Sequence, residues 1–221
     1  MLSHVSFSVP RGSFVGLIGP SGAGKTTCVD MLLGLLMPQE GNLLVDGIPS
    51  RDIHRADWHK QVSYVSQDLF LMNDTLRANI AFYDDAISDE EILHAAEQAH
   101  IGDMIRSAPA GLDTMVGDRG LTLSAGQRQR LVIARALARK PKVLILDEAT
   151  SALDSESEQH IKSIIQGLKG SITIVAVAHR LSTIVDADML VALENGRVVE
   201  KGAPQELLKK ADSYFSRVNA I

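Results

Sequence analysis

This sequence of 221 residues has only one cysteine, no long apolar run and no excess of positive charge. Its single cysteine, Cys28, excludes a disulfide framework and any metal site built from several cysteines. Its longest apolar runs, 31–37 and 172–178, are far shorter than the roughly 18–20 residues that cross a bilayer. These absences argue against a secreted, disulfide-stapled mini-protein and against a membrane-spanning chain.

The charge balance is mildly acidic, with 22 Lys and Arg against 27 Asp and Glu. General nucleic-acid binding needs a basic surface, so we expect no nucleic-acid partner. The first residues also lack a basic stretch followed by an apolar one, so we expect no signal peptide. With 45% hydrophobic and 22% charged residues, the sequence is typical of one soluble globular domain with or without a subdomain.

Short apolar segments alternate with helical segments along most of the chain. The pattern predicts strands at 2–9, 14–18, 42–45, 62–65, 143–146, 172–178, 189–193 and 198–200. It predicts helices at 25–36, from Ser124 onward, at 156–168 and at 204–218. Fully apolar strands between helices favour a parallel sheet covered on both faces, whereas the early alternating strands favour a half-exposed antiparallel part. The helical stretch at about 69–140, with a capping-box pattern at 88–91, looks like an insertion.

A glycine-rich loop at 19–26, GPSGAGKT, matches the phosphate-binding pattern G-x-x-x-x-G-K-[ST]. A predicted strand precedes it and a predicted helix follows it, which disfavours the alternative of an ordinary glycine-rich turn. Backbone N–H groups of such a loop bind phosphate, Lys25 reaches the β- and γ-phosphates, and the Thr26 hydroxyl ligates Mg²⁺. The residues expected to bind the nucleotide are Gly19, Pro20, Ser21, Gly22, Ala23, Gly24, Lys25, Thr26 and Thr27.

Two acids, Asp147 and Glu148, follow the apolar run at 143–146. Acids at the carboxyl end of a central strand lie where α/β sheets bind ligands. We expect Asp147 to hold Mg²⁺ and Glu148 to act as general base for a water that attacks the γ-phosphate. The alternative is an acid pair that caps the next helix, which is less favoured beside a phosphate loop.

The segment 123–130, LSAGQRQR, resembles the signature sequence of ATP-binding cassette (ABC) proteins, usually LSGGQ. The phosphate loop, the signature, the Asp147–Glu148 pair, the SALD stretch at 151–154 and His179 follow one another in the family's order. Over essentially its whole length, the chain resembles an ABC nucleotide-binding domain. The resemblance implies an α/β fold: a P-loop NTPase (RecA-like) core with an antiparallel β subdomain and an inserted α-helical subdomain at about 69–140. It also implies ATP and Mg²⁺ as ligands.

The resemblance assigns further roles. Gln67 would contact Mg²⁺ or the attacking water, Asp154 would link the two sites of a dimer, and His179 would contact the γ-phosphate. The expected catalytic residues are Lys25, Gln67, Glu148 and His179, and the expected metal ligands are Thr26, Gln67 and Asp147.

The signature is also expected to bind phosphate, because Ser124 is a good N-cap for a helix through Ala138. By resemblance, each ATP lies between one subunit's phosphate loop and the partner's Ser124, Ala125, Gly126 and Gln127. We therefore expect a head-to-tail dimer with a second nucleotide-binding domain. Ala125 replaces the usual first glycine of the signature.

The stretch from Thr114 to Gly120 resembles a segment of ABC exporters that contacts the transmembrane domains, as does the loop around Gln67. We therefore expect an exporter's ATPase motor at the cytoplasmic face of a membrane. Trp58 is equally compatible with a socket for the membrane partner and with a core anchor. The alternative function, a soluble ABC ATPase acting on DNA or ribosomes, lacks the expected coiled coil or second cassette. The family's first strand, with its adenine-stacking aromatic residue, is expected before Leu2, so the sequence looks like an excised domain.

Overall fold

The computed structural model describes residues 2–148, 154–178, 181–210 and 212–219. Its strands are β1 (Phe14–Ile18), β2 (Leu44–Val45), β3 (Ile48–Pro49), β4 (Val62–Val65), β5 (Val143–Asp147), β6 (Thr173–Val177), β7 (Met189–Glu194) and β8 (Arg197–Gly202). Its α-helices are α1 (Lys25–Leu32), α2 (Arg55–Gln61), α3 (Leu76–Ala81), α4 (Asp89–Gln98), α5 (Gly102–Ser107), α6 (Ala125–Ala138), α7 (Ser155–Leu168), α8 (Leu181–Ile184), α9 (Pro204–Leu208) and α10 (Tyr214–Asn219). Short 3₁₀ turns lie at Ser50–Asp52, Gly111–Asp113 and Asp118–Gly120.

One six-stranded sheet organises the core, in the order β4-β5-β6-β1-β7-β8. The first five of these strands are parallel, and β8 pairs antiparallel with β7 through the turn at Asn195 and Gly196. All five residues of β1 and of β6 are buried, as expected for parallel strands covered on both faces. The predicted α/β fold class is confirmed.

Neighbouring residues of each central strand point to opposite faces and join different core clusters. Phe14 packs with residues of α4, α6 and α7, whereas Val15 packs on the other face with Cys28 and Val29 of α1. Cys28 is buried, and burial raises the pKa of its thiol to about 11. Cys28 is thus a packed core side chain.

Helix α1 ends at Leu32, four residues before the predicted end. The reason is Gly34, whose φ of +72° closes a Schellman motif. The Gly34 N–H donates to the Met31 carbonyl at 2.9 Å, and the Leu35 N–H donates to the Asp30 carbonyl at 2.8 Å.

The predicted first strand is also wrong, because residues 2–9 belong to no strand. Val5, Phe7 and Val9 do pack against the core on the α1 side of the sheet, which explains the alternation in the sequence. However, His4 has a φ of +55° and interrupts an extended backbone. Alternation of apolar and polar residues indicates that one side of the segment is buried. A strand also needs a neighbouring strand with which it forms hydrogen bonds.

Two other segments differ from the prediction. The strand at 42–45 shortens to β2, which pairs with β3 as a separate antiparallel hairpin. The single closing helix is two helices, α9 and α10, because Ser213 forms a cap between them. Its Oγ accepts from the Ser216 N–H at 2.8 Å and donates to the Leu207 carbonyl at 2.7 Å.

Helices α3 to α6 occupy the stretch predicted to be helical. The predicted capping box is present at α4, where the Ser88 N–H donates to Glu91 Oε2 at 2.8 Å and the Ser88 Oγ accepts from the Glu91 N–H. The subdomain boundary at about 69–140 stays a prediction.

Asn79 of α3 and Arg135 of α6 join these helices to the loop after β4. Asn79 is fully buried, and its amide group pairs with both backbone groups of Met72 at 2.9 and 3.0 Å. The Arg135 guanidinium donates to the Asn79 carbonyl at 2.6 Å, to Asn79 Oδ1 at 3.0 Å and to the Phe70 carbonyl at 2.8 Å. It also lies over the Phe82 ring, 4.7 Å from the centroid.

Removing the amide of Asn79 should destabilise the fold strongly. We expect Asn79→Ala to lower the free energy of unfolding by about 3 kcal/mol, because Met72 and Arg135 would keep buried, unpaired donors. Urea denaturation measures this. Asn42→Ala, at an exposed asparagine, is the matched control and should change it by less than about 0.5 kcal/mol. Equal effects of the two substitutions would contradict the role of this cluster.

Candidate active site

The carboxyl edge of the parallel sheet collects most of the predicted site residues. The glycine-rich loop that begins at Gly19 follows β1, Gln67 follows β4, and Asp147 and Glu148 end β5. Strand β6 lies between β5 and β1 and pairs with both. Because parallel strands end on the same side, the loop and the acids face one crevice, the position where open α/β sheets bind ligands.

Three glycines shape the loop after β1. A Cβ on Gly19 would collide with the Leu193 carbonyl oxygen of the neighbouring strand β7. Gly22 has a φ of +77° and would meet nothing within 4 Å, so its surroundings are open. Gly24, with a φ of +104°, is the N-cap of α1 and supplies no capping side chain. The first-turn N–H groups of α1 are therefore left for a ligand, and their dipoles favour an anion.

Lys25 stabilises the loop through hydrogen bonds to two of its carbonyl groups. Its side chain is only 7% exposed, and its Nζ donates to the Gly19 carbonyl at 2.7 Å and to the Pro20 carbonyl at 3.0 Å. Burial lowers the pKa of Lys25, and the charges of Glu148 and Asp147 oppose that shift. The lysine therefore lies within electrostatic reach of both acids while it holds two loop carbonyls.

Asp147 shares a face of the sheet with α1. Its Oδ2 accepts a hydrogen bond from the Tyr64 hydroxyl of β4 at 3.0 Å. Burial raises the pKa of Asp147, and the Tyr64 hydrogen bond and the Lys25 charge counteract this. Burial also raises the pKa of Tyr64, and the hydrogen bond to Asp147 adds to the shift. The tyrosine therefore remains protonated as a donor.

The donor set at this edge suits a hard cation. Thr26 and Gln67 are exposed, and with Asp147 they offer hydroxyl, amide and carboxylate oxygens. Within the described residues, no group of three or more His, Cys, Asp or Glu is placed to hold a metal. One carboxylate with few other protein ligands is typical of Mg²⁺ bound together with substrate phosphates.

Glu148 leaves β5 through a left-handed turn. Its φ is +49°, and its N–H donates to the Val177 carbonyl at 2.9 Å. A non-glycine residue in this region costs about 1–3 kcal/mol and is often found at functional sites. The Glu148 backbone therefore continues the hydrogen bonding of β5 with β6 by one residue and then turns, at the edge of the sheet that carries the phosphate loop.

The signature segment forms the start of α6. Ser124 is its N-cap, and a capping box joins the Ser124 Oγ to the Gln127 N–H at 3.2 Å and Gln127 Oε1 to the Ser124 N–H at 2.8 Å. The side chain of Gln127 is therefore engaged in the cap. The Ser124 hydroxyl proton, the helix dipole and the first-turn amides of Ala125 and Gly126 remain the groups predicted to bind a second anion.

The first turns of α6 and α7 touch at Gly126. A Cβ on Gly126 would overlap Ser157 Oγ and lie 2.8 Å from Ser157 Cβ. The Ser157 N–H in turn donates to Asp154 Oδ1 at 2.8 Å, so Asp154 is the N-cap of α7. This hydrogen bond holds the pKa of Asp154 below its usual value. Gly126 thus has a packing role inside the chain besides its predicted ligand contact.

The structure does not unite all predicted residues. Within the described residues, no hydrogen bond or ion pair joins the phosphate loop to the signature segment. His179 and residues 151–153 of the SALD stretch lie outside the described residues. Trp58 donates from Nε1 to the Leu32 carbonyl at 2.8 Å and so anchors α2 to α1.

Sequence reasoning missed two contributors to the site. Tyr64 donates a hydrogen bond to Asp147. The only feature of the sequence that could have indicated this role is its position on β4, three residues before Gln67. Ser157 fills the space beside Gly126. No local pattern indicates this contact, because Gly126 and Ser157 are far apart in sequence.

Comparison with known proteins gives consistent matches. The sequence model described as ABC transporter matches residues 2–151. The chain is 47% identical over 214 residues to the ATP-dependent lipid A-core flippase of Vibrio vulnificus, covering 96% of this chain and 37% of that protein. It is 44% identical over 219 residues to the flippase of Idiomarina loihiensis, covering 99% and 38%.

A solved structure is similar over almost the whole chain. A bacterial Atm1-family ABC exporter with ATP bound has a TM-score of 0.89 and 42% sequence identity, and the match covers 99% of this chain and 38% of that one. The chain thus spans little more than a third of the length of the proteins it matches.

The contact at Gly126 predicts a coupled pair of substitutions. We expect Gly126→Ala to lower the free energy of unfolding by about 1–3 kcal/mol, because the added methyl group overlaps Ser157. In a Ser157→Gly background the same change should cost at least about 0.5 kcal/mol less. Chemical denaturation of the four proteins of this cycle measures the coupling.

Gly167→Ala is the matched control. Gly167 lies in the last turn of α7, and a Cβ there meets nothing within 4 Å. This change should raise the free energy of unfolding by about 0.5–1 kcal/mol, as alanine does in an open helix position. Independent, additive losses at Gly126 and Ser157 would show that the two helix starts are not in contact.

Proposed function

The chain belongs to the ABC transporter family, as an ATPase domain of the exporter type, and we propose that it powers export by binding and hydrolysing ATP. The observation that carries the proposal is that the phosphate loop with Lys25 and the Asp147–Glu148 pair lie at the same carboxyl edge of the sheet, within electrostatic reach of each other. A phosphate loop whose helix start has no side-chain cap lies at the same edge. No helix of the described residues is long and apolar enough to cross a membrane.

Nucleotide binding follows from the loop. The amides of the first turn of α1 donate to the phosphates, and the Lys25 ammonium neutralises charge on the β- and γ-phosphates. The Gly19 and Pro20 carbonyls already hold that ammonium in place, so little ordering remains to be done when ATP arrives. Thr26, Gln67 and Asp147 would hold Mg²⁺, which neutralises phosphate charge when bound.

Hydrolysis is assigned to Glu148. Its carboxylate accepts a proton from water as the water oxygen bonds to the γ-phosphorus and the bond to the bridging oxygen of ADP breaks. Gln67 orients this water, and His179 donates a hydrogen bond to the γ-phosphate. Lys25 stabilises the charge that develops on the transferred group.

A second copy or a similar domain completes the site. The signature of each chain has an anion-binding helix start that its own phosphate loop does not contact. We infer that Ser124, Ala125, Gly126 and Gln127 contact the γ-phosphate of ATP held by the partner, and that Asp154 lies at the same dimer interface. ATP then joins the two domains head to tail.

The transmembrane partner would bind around Gln67 and the stretch from Thr114 to Gly120. Large apolar side chains are exposed in this region, at Phe70, Met115 and Leu121. Such side chains are typical of surfaces that another protein covers. We therefore propose that the domain lies at the cytoplasmic face of a membrane. The matched relatives are exporters, which disfavours the alternative of a soluble ATPase acting on DNA or ribosomes.

Replacing the general base should separate binding from turnover. We expect Glu148→Gln to lower the ATP hydrolysis rate at least about 100-fold, because the amide cannot accept the water proton. ATP binding should persist, and an ATP-bound dimer should accumulate. Phosphate release measures turnover, and light scattering after size exclusion measures the dimer.

Glu40→Gln, at an exposed glutamate, is the control for loss of one negative charge and should leave both readouts unchanged. Full turnover in Glu148→Gln would show that the base assignment is wrong. Absence of ATP hydrolysis in the unsubstituted chain would refute the proposed function itself.

A further inference from the structure

A tyrosine side chain reaches the predicted metal ligand from the neighbouring strand. Tyr64 of β4 lies opposite Ile145 of β5, and Asp147 lies two residues further along β5. Residues two apart on a strand share a face, so Tyr64 and Asp147 are diagonal neighbours. The Tyr64 hydroxyl donates to Asp147 Oδ2 at 3.0 Å.

The Tyr64 hydroxyl binds the Asp147 carboxylate, which is also subject to the charges of neighbouring residues. Lys25 attracts the carboxylate, whereas Glu148 and Asp30 repel it. The Lys25 ammonium already donates to two loop carbonyls, and the described residues show no ion pair between it and Asp147 within 4.0 Å. A neutral donor on the β4 side thus fixes one carboxylate oxygen. In the described part of the chain no hydrogen bond engages Oδ1, the oxygen that we assign to the cation.

We propose that Tyr64 is a positioning residue that orients the Asp147 carboxylate for a divalent cation. The inference rests on the proposed function and deepens it. Tyr64 does not touch nucleotide or cation. Without its hydroxyl, the carboxylate is free to turn toward Lys25, and a cation must compete with that ammonium for it.

Tyr64 also lies close in sequence to Gln67, another predicted ligand of the cation. Strand β4 ends one residue after Tyr64 and leads directly into that loop. The Tyr64–Asp147 hydrogen bond therefore adds a side-chain link to the backbone ladder that already joins β4 and β5. Two of the three predicted cation ligands, Gln67 and Asp147, lie at or just after the ends of these strands.

Tyr64→Phe tests the proposal, because it removes only the hydroxyl from a half-exposed ring. Mn²⁺ is the probe, and its affinity is measured by electron paramagnetic resonance in the presence of saturating ADP. We expect Mn²⁺ to bind on the order of tenfold more weakly, as when outer ligands of metal sites are removed. The Mg²⁺ concentration for half-maximal ATP hydrolysis should rise similarly, with turnover at saturating Mg²⁺ unchanged within about twofold.

Tyr83→Phe is the matched control. The Tyr83 hydroxyl donates to Asp74 Oδ2 at 2.5 Å, a second tyrosine–aspartate pair at an exposed position outside the site. This variant should leave Mn²⁺ affinity and the Mg²⁺ requirement unchanged.

ADP binding in the presence of EDTA separates positioning from damage. It should be the same in Tyr64→Phe and in the unsubstituted chain. Unchanged Mn²⁺ affinity, or an equal loss of cation-free ADP binding, would overturn the role of Tyr64 while leaving the proposed function intact. Failure of the unsubstituted chain to bind ADP or ATP would instead refute the proposed function.

Discussion

The parallel hydrogen-bond ladder of β4, β5, β6 and β1 is the constraint on which the rest of the molecule depends. Parallel pairing forces all four strands to end on one side, where Gly19, Gln67, Asp147 and Glu148 of the predicted ATP site follow or end their strands. The ladder also sets which side chains share a face. Asp147 therefore lies on the side of α1, where Lys25 and Thr26 begin the helix, and beside Tyr64.

The two predicted anion-binding helix starts are built differently. Helix α1 begins at Gly24, which offers no capping side chain, so its amides are left for phosphate. Helix α6 begins at Ser124 with a complete capping box, so it is stable before any nucleotide arrives. Its position is set by contacts elsewhere along the helix, with Ser157 at its first turn and with Asn79 near its end. The start of α1 therefore leaves its amides for a ligand, whereas the start of α6 is already ordered by its own cap.

Local chemistry made much of the structure predictable. Apolar runs identified β1, β5 and β6, and short patterns identified the phosphate loop and the caps at Ser88 and Ser124. Where the prediction was wrong, a single backbone conformation decided the outcome, as with Gly34 at the end of α1. Contacts between distant segments were beyond reach, because pattern and propensity say nothing of what Tyr64, Asn79 or Arg135 meets after the chain folds.

The contact of Arg135 has a consequence for the conditions under which the domain works. Its guanidinium binds carbonyl and amide oxygens and a ring, and in the described part of the chain no carboxylate lies within 4.0 Å of it. Burial lowers the pKa of Arg135 to about 10, so it stays charged at neutral pH. Its oxygen partners cannot be protonated in the physiological range, and a partly buried contact is screened by ions less than a fully exposed one. The link between the loop after β4 and the signature helix is therefore insensitive to mild acidification and less dependent on ionic strength than a surface ion pair.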